Sequence, residues 1–412
     1  MPGACAAGNN DHNTSMSKRQ LAIVLWTVGI LNFATNLAPL IQYQGYDTVP
    51  IWRAVHGLLN HSQIYTHRGA GDFLYFPSAL LMLLPLGAVS LPLAKAGLFF
   101  VDIGAILVST AMLLRLFGYR WFGLAGAIAL CGVSFAYPVF FTVGAGNVDA
   151  LVLVGFAGFL LAASSGSWTT AGTSLGLAIA LKPVIAPLVL VVAVYRRWKA
   201  LTLALLIPCA LSGVVLLAAP ASRDYFSVTL PLLWHGQDAQ IQHVSYSLRS
   251  VANRLGVPDA LTGLIRLSVL LASVGLFWRR YRGSQVEPQR IVELSTIVLA
   301  AAFLLSTFAF PFYGVYFLPF AIAATTRSSY LHHWLTWAAL FCVAAKERWF
   351  LERLPDRMNQ FLGARFTLGF LLVLLSIYVG VRRAAEARVS LDLSSYERRG
   401  EARADVGTVA EP

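Results

Sequence analysis

The chain has 412 residues, 57% apolar and only 12% charged, with a mean hydropathy of +0.67; soluble domains carry about 25% charged residues, so a water-soluble globular protein is excluded and a polytopic membrane protein is indicated. The formal charge of +12 does not mark a nucleic-acid partner, because the basic residues sit in short clusters at the ends of apolar runs and form no continuous stripe. Of the four cysteines, Cys5 lies in the N-terminal tail and Cys131, Cys209 and Cys342 lie inside apolar runs, a spacing that indicates neither a disulfide framework nor a metal site.

In chain order, residues 1–19 are expected to be an unstructured cytoplasmic segment. The run from Leu21 to Leu40 has the length of a signal anchor and no small-residue cleavage pattern after it, so no cleavable signal is expected. A hydropathy window of about 19 residues places spans near 20–40, 94–116, 121–140, 148–164, 168–181, 184–195, 201–219, 259–279, 291–309, 312–326, 331–345 and 364–381. The apolar run 76–92 is interrupted by Pro77, Pro85 and Pro92 and reads as a re-entrant or short helix. From residue 384 the chain is charged and poor in large apolar residues, and is expected to be a second unstructured tail. The fold class is therefore all-α and polytopic, with one membrane-embedded unit from 20 to 383 containing about 12 transmembrane or re-entrant helices.

Lysine and arginine collect in short loops at 18–19, 115–120, 196–199, 279–282, 327 and 382–383. With twelve spans these fall on one side, which puts both termini in the cytoplasm of a plasma-membrane protein. The loops 41–75, 141–147, 182–183, 220–258, 310–311 and 346–363 then face outward. They retain Arg53, Arg68, Arg223, Arg249, Arg348 and Arg353; an anionic ligand on the outer face accounts for these, and so does the freedom of long loops from the positive-inside bias.

Polar chemistry gathers in the same outer loops: Asp47 in "YQGYDTVPIWRAV", Asn147 and Asp149 in "GAGNVDA", Lys182 in "ALKPVIAP", His235, Asp238 and His243 in the long loop, and Lys346, Glu347 and Arg348 in "KERWF". Lys182 is the most informative. It interrupts an apolar stretch directly before Pro183, where proline disfavours helix at the preceding residue. An ionisable group at a broken helix in the membrane is a functional candidate, the plain alternative being a lysine that snorkels to the interface.

The motifs "YDTVPIWRAV", "YFP", "GLAIALKPVIAPLVLV" ahead of "RRWKAL", "DYFSVTLPLL", "FYGVYFLPF" and "ERWFLE", in this order, resemble the integral-membrane glycosyltransferases of family 87 from about residue 20 to 383. That family contains polyprenol-phosphate-mannose-dependent mannosyltransferases and the arabinofuranosyltransferases that place α-1,3 branches in mycobacterial arabinan, and the likeness is greatest to the latter. The resemblance implies a GT-C type helical bundle working on the extracytoplasmic face. Its donor would be a polyprenyl (decaprenyl) phosphate sugar and its acceptor a polysaccharide or glycolipid of the cell envelope, such as arabinogalactan or lipoarabinomannan. It implies that Asp47 is the general base and that Lys182 belongs to the family's Lys-Pro motif. Family members commonly carry two prolines after the tyrosine, whereas this chain has Phe76 and a single Pro77 after Tyr75.

The chemistry is consistent with a single carboxylate. A lipid phosphate is a competent leaving group, so inversion at the anomeric carbon needs a base for the acceptor hydroxyl and no separate acid. Positive charge stabilises the departing phosphate, and Lys182 and Arg348 are the candidates for that role. Tyr46, Trp52, Arg53, Tyr75, Asn147, His243 and Tyr313 are candidate substrate contacts. No cofactor and no metal ligand set is indicated; His235 and His243 are eight residues apart in sequence without accompanying ligands.

On the residues alone other acids compete with Asp47. Asp149 reads as a favourable charge at a helix start, Asp102 as an internally paired group within a span, Asp72 and Asp238 as solvated loop residues, and Glu347 as part of a local ion pair. Other function classes also stand: a mannosyl donor in place of an arabinofuranosyl one, a secondary transporter, or a lipid-linked sugar flippase. A transporter would favour internal repeats and a site near the bilayer midplane.

Overall fold

The computed structural model describes residues 17–42, 45–65, 73–235, 245–283, 287–326, 329, 331–345 and 364–406, with the backbone alone for 37–42, 235 and 387–406; these residues form helices and turns and no strand. In chain order the α-helices are α1 (Lys18–Gln42), α2 (Thr48–Leu59), α3 (Pro77–Met82), α4 (Leu84–Gly87), α5 (Leu91–Leu116), α6 (Leu124–Phe135), α7 (Tyr137–Ala145), α8 (Asp149–Ser164) and α9 (Trp168–Leu181). They continue as α10 (Val189–Val194), α11 (Trp198–Ala218), α12 (Leu230–His235), α13 (Leu248–Arg254), α14 (Asp259–Arg282), α15 (Gln289–Leu305), α16 (Leu318–Ala324), α17 (Trp334–Ala344) and α18 (Arg365–Val406). Two 3-10 segments, Pro183–Leu188 and Pro311–Phe317, lead into α10 and α16.

Among the described residues four helices are long and apolar enough to cross a bilayer: α5, α11, α14 and α18 over Arg365–Glu386. The expected span 121–140 is instead the pair α6 and α7, bent by 63°, with Pro138 at the start of α7. Proline has no amide hydrogen for the helix ladder, and its ring disfavours helix in the residue before it, so the chain turns there. The expected spans 184–195 and 312–326 are found with nearly those limits, but each opens on proline as a 3-10 segment and continues as one or two turns of α-helix. The run 76–92 forms the short helices α3 and α4, as expected. The last helix continues in backbone to Val406, through the stretch expected to be an unstructured tail; Ala, Glu and Arg are strong helix formers. Residues 1–16 lie outside the described residues.

The centre of the bundle is a chain of packed neighbours, α5 on α8, α8 on α9 and α9 on α11. Its largest fully buried side chains include Phe156, Phe159, Phe303, Phe317, Phe320, Phe370 and Tyr316. By contrast α14 turns Leu264, Leu267, Leu271 and Val274 outward. Such a face is costly in water and matched to hydrocarbon.

The breaks sort to two ends. At one end the Asp47 N–H donates to the Ala145 carbonyl (2.9 Å) and the Tyr246 N–H to the Ala309 carbonyl (2.7 Å). The Thr367 hydroxyl donates to the Tyr246 carbonyl (2.6 Å) there as well. These are loops that the charge pattern assigned to a single side. At the other end the Tyr195 hydroxyl donates to Glu287 (2.8 Å) and Gln289 to the Ser329 hydroxyl oxygen (3.2 Å).

The basic cluster in the last turn of α14 is not uniformly a solvated topology signal. Arg280 is 1% exposed and ion-paired with the fully buried Glu293 of α15. Removing one partner of such a pair leaves a buried charge uncompensated. Arg280→Met and Glu293→Gln are each expected to destabilise the detergent-solubilised protein by about 3–5 kcal/mol. Thermal unfolding that matches the unsubstituted protein would show the pair to be dispensable.

Candidate functional site

Four interruptions of helical structure meet at one end of the bundle: the turn before α2, the turn between α7 and α8, the break between α9 and Pro183, and the Pro311–Phe317 segment. The first two dock through glycines. Gly45 and Gly146 both have left-handed φ, +53° and +63°. A Cβ built on Gly146 would lie 3.2 Å from the Gly45 Cα and 2.0 Å from the Thr48 Oγ1, so only hydrogen fits there. The Thr48 hydroxyl donates to the Gly146 carbonyl at 3.2 Å. This contact presents Asp47 to Asn147.

A relay of polar side chains runs inward from that point. Asn147 Nδ2 donates to Asp47 Oδ2 at 2.7 Å. Asn147 Oδ1 accepts from the Asp149 N–H at 3.0 Å and from Lys182 Nζ at 3.2 Å. Two donors on one oxygen fix the amide, so its NH2 must face Asp47. Lys182 Nζ is ion-paired with Asp149 Oδ2 at 2.5 Å, and the Tyr316 hydroxyl donates to the other Asp149 oxygen. Phe312, Tyr313 and Tyr75 surround the ammonium, with ring centroids 4.5, 5.3 and 5.4 Å from Nζ. Lys182 is C-terminal to α9 with extended backbone, φ −154°, as residues before proline prefer.

The two carboxylates differ in environment. Asp149 is fully buried, held by Lys182 and Tyr316, and stands at the first residue of α8, where the helix dipole favours an anion. Asp47 is half-buried and takes a single described hydrogen bond, from Asn147. Its other oxygen is open to a ligand. Burial pushes the Asp47 carboxyl up to about 6, against the opposing pull of Lys182 and the Asn147 hydrogen bond. The site can thus hold a carboxylate ready to take a proton near neutral pH, beside a fixed cation.

Of the residues singled out in the sequence, Asp47, Asn147, Lys182, Tyr75 and Tyr313 come together. Tyr46 is 47% exposed at the mouth, its ring 6.4 Å from Phe141. Trp52 is spent on packing: its indole N–H donates to the Val89 carbonyl at 2.8 Å and its ring stacks on His56. Arg53 is exposed on α2. His243 and Arg348 lie outside the described residues, as do Asp72, Asp238 and Glu347. Asp102 is fully buried, and among the described residues neither of its oxygens has a hydrogen-bond partner, so the expected internal pairing is not found there. The roles of Asp149 as ion-pair partner and of Tyr316 are not visible in local sequence, although both lie in motifs quoted above. Among the described residues no three His, Cys, Asp or Glu side chains converge on a metal-sized site.

A family model described as glycosyltransferase family 87 matches residues 73–307. The chain is similar to an alpha-(1->3)-arabinofuranosyltransferase of Mycolicibacterium smegmatis, with 25% identity over 87% of this chain and 85% of the relative. It is also similar to the proteins of that name from Corynebacterium glutamicum, with 27% identity over 78% of this chain and 77% of the relative, and from Mycobacterium tuberculosis, with 25% over 74% and 71%. No solved structure matches it.

The glycine contact is testable without any assay of function. Gly146→Ala is expected to destabilise the protein by about 1–3 kcal/mol, because alanine must hold a left-handed φ against Thr48. Adding Thr48→Ala should recover part of the loss by removing the nearest obstructing atom. A double variant no more stable than Gly146→Ala alone would show that the hydroxyl is not the obstruction.

Proposed function

The chain belongs to glycosyltransferase family 87, and from that premise we propose that it transfers an arabinofuranosyl residue, with inversion, from a polyprenyl phosphate to an arabinan acceptor of the cell envelope, with Asp47 as general base. The arabinofuranosyl donor is supported by the names of the relatives. The extracytoplasmic placement of the site, with cytoplasmic termini, is supported by the meeting of Asp47, Asn147, Lys182 and Phe312 at the end to which the charge pattern assigned the outer loops.

The observation that carries the reading is the hydrogen bond from Asn147 to one oxygen of Asp47, which leaves the other oxygen open beside the Lys182 site. In the proposed step the acceptor hydroxyl oxygen attacks the anomeric carbon and its proton passes to Asp47. The carbon–oxygen bond to phosphate breaks on the opposite face, and its electron pair leaves with the polyprenyl phosphate. A carboxyl near 6 suits this role, since a base is most effective when its pKa lies near the working pH. Lys182 is engaged by Asp149 and Asn147, and orients the amide that faces Asp47.

Asp47→Asn keeps the shape and removes the proton acceptor, so transfer from a synthetic prenyl-phosphoryl arabinofuranose to an arabinan oligosaccharide should fall about 10²–10⁴-fold. Retention of full activity would remove Asp47 from the base role, and transfer of mannose in preference to arabinose would replace the donor.

The base works deprotonated, so kcat/KM should rise with pH and level off above about 6. Asn147 stabilises the charged form, and Asn147→Leu should therefore move that acidic limb to higher pH. A limb unmoved by this substitution would mean that another group titrates.

A further inference from the structure

The departing lipid phosphate requires positive charge that is not already neutralised, and the relay described above offers none. Asp47 and Asp149 carry two negative charges against the single positive charge of Lys182, whose ammonium is ion-paired, hydrogen-bonded to Asn147 and ringed by Phe312, Tyr313 and Tyr75. An anion arriving beside this set meets a net negative site unless a second cation stands at its mouth.

Lys95 occupies that place. It is the fifth residue of α5 and lies on the face that α5 turns toward the bundle, three and seven residues before Leu98 and Asp102, which are 2% and 0% exposed. Its aliphatic stem packs against the turn that carries Asp47: a Cβ on Gly45 would lie 3.7 Å from the Lys95 Cγ. The side chain is half-buried, and among the described residues its ammonium makes no hydrogen bond and no ion pair. Helix stability does not account for a cation here, because the first turns of a helix are the positive end of its dipole. A snorkelling lysine would use an outward face; Lys95 is on the inward one.

We propose that Lys95 holds the phosphate of the prenyl phosphate donor and stabilises it as it leaves. This rests on the glycosyl-transfer reading and deepens it. As the anomeric carbon–oxygen bond breaks, the electron pair goes to the bridging phosphate oxygen, and the ammonium of Lys95 donates hydrogen bonds to the developing charge. The acceptor proton goes to Asp47, and Lys95 takes part in no proton transfer.

The test is binding of radiolabelled farnesyl phosphate to the full-length protein in detergent micelles, with farnesol and inorganic phosphate as competitors. Lys95→Met should weaken binding about tenfold or more, the loss of one hydrogen bond to a charged group. Lys95→Arg should stay within about threefold, because it keeps a cation that hydrogen-bonds phosphate. Farnesol should compete poorly. Lys95→Gln retains a stem without charge and stands in for the methionine variant should that one fail to fold. Binding by the uncharged variants equal to that of the unsubstituted protein overturns the assignment, and so does competition by inorganic phosphate as strong as by farnesyl phosphate. Sugar transfer by the unsubstituted chain is measured in parallel. A protein that binds farnesyl phosphate through Lys95 yet transfers no sugar overturns the transfer reading and leaves the site standing.

Discussion

The ion pair between Lys182 and Asp149 holds the rest of the site in place. Broken helices in a membrane bundle leave backbone and side-chain polar groups that lipid cannot satisfy, so their ends must be joined by protein. Lys182 at the end of α9 and Asp149 at the start of α8 make that junction at 2.5 Å. Asn147 and Tyr316 complete it, one from the turn before α8 and one from the Pro311–Phe317 segment. Breaking such a buried pair costs far more than the pair contributes relative to a well-packed apolar replacement. Its use is to specify geometry: with its oxygen committed to Lys182 and the Asp149 amide, Asn147 has one orientation, and its NH2 group faces Asp47.

From this follows a division between chemically identical groups. Asp149 is enclosed and placed at a helix N-terminus, with one oxygen committed to Lys182 and the other to Tyr316. Asp47 sits at the rim, with one oxygen anchored and one open, and its desolvation exceeds the stabilisation that Lys182 and Asn147 give its charge. Pairs of acids set in contrasting environments are the usual basis for assigning different roles to them. The proposed base is thus the less stabilised of the two, while Lys182 is engaged by Asp149 and Asn147. This is why the proposed transfer from a prenyl phosphate calls for a second cation, for which we propose Lys95.

The aromatic residues extend the same end of the molecule. Tyr46, Phe141, Tyr137, Phe366 and Tyr246 follow one another with ring centroids 4.7 to 6.4 Å apart, a continuous face bordered by Arg365 and Arg254. Its members come from four separate parts of the chain, the turn before α2, α7, the segment before α13 and the start of α18, and meet only in the folded bundle. Aromatic side chains suit this position, since their rings are apolar and their hydroxyls find partners where protein meets interface.

How much of this was legible in the sequence depends on whether a feature is local. The all-α membrane class follows from composition, and the break at Lys182 follows from Pro183, because proline acts on its own backbone and its neighbour's whatever surrounds it. The co-location of Asp47, Asn147 and Lys182 at one end was readable from charge bias and span counting, whereas the role proposed for Asp47 came from family resemblance. The extents of the helical stretches at 183–194 and 311–324 were anticipated but their 3-10 openings were not, since hydropathy averages over a window and is blind to helix type. Nor was the engagement of Lys182 by Asp149 and Tyr316: residues 33 and 167 positions apart from Asp149 meet only after the bundle has formed. Trp52 and Asp102 show the converse, a chemically suggestive side chain used for packing and an apparently pairable one with no described partner. Composition and proline placement determine the type of molecule and where its helices fail, because those are properties of short stretches of chain. Which charges neutralise one another, and therefore which remain available to a substrate, was decided by tertiary packing, because electrostatic pairing depends on distance in space.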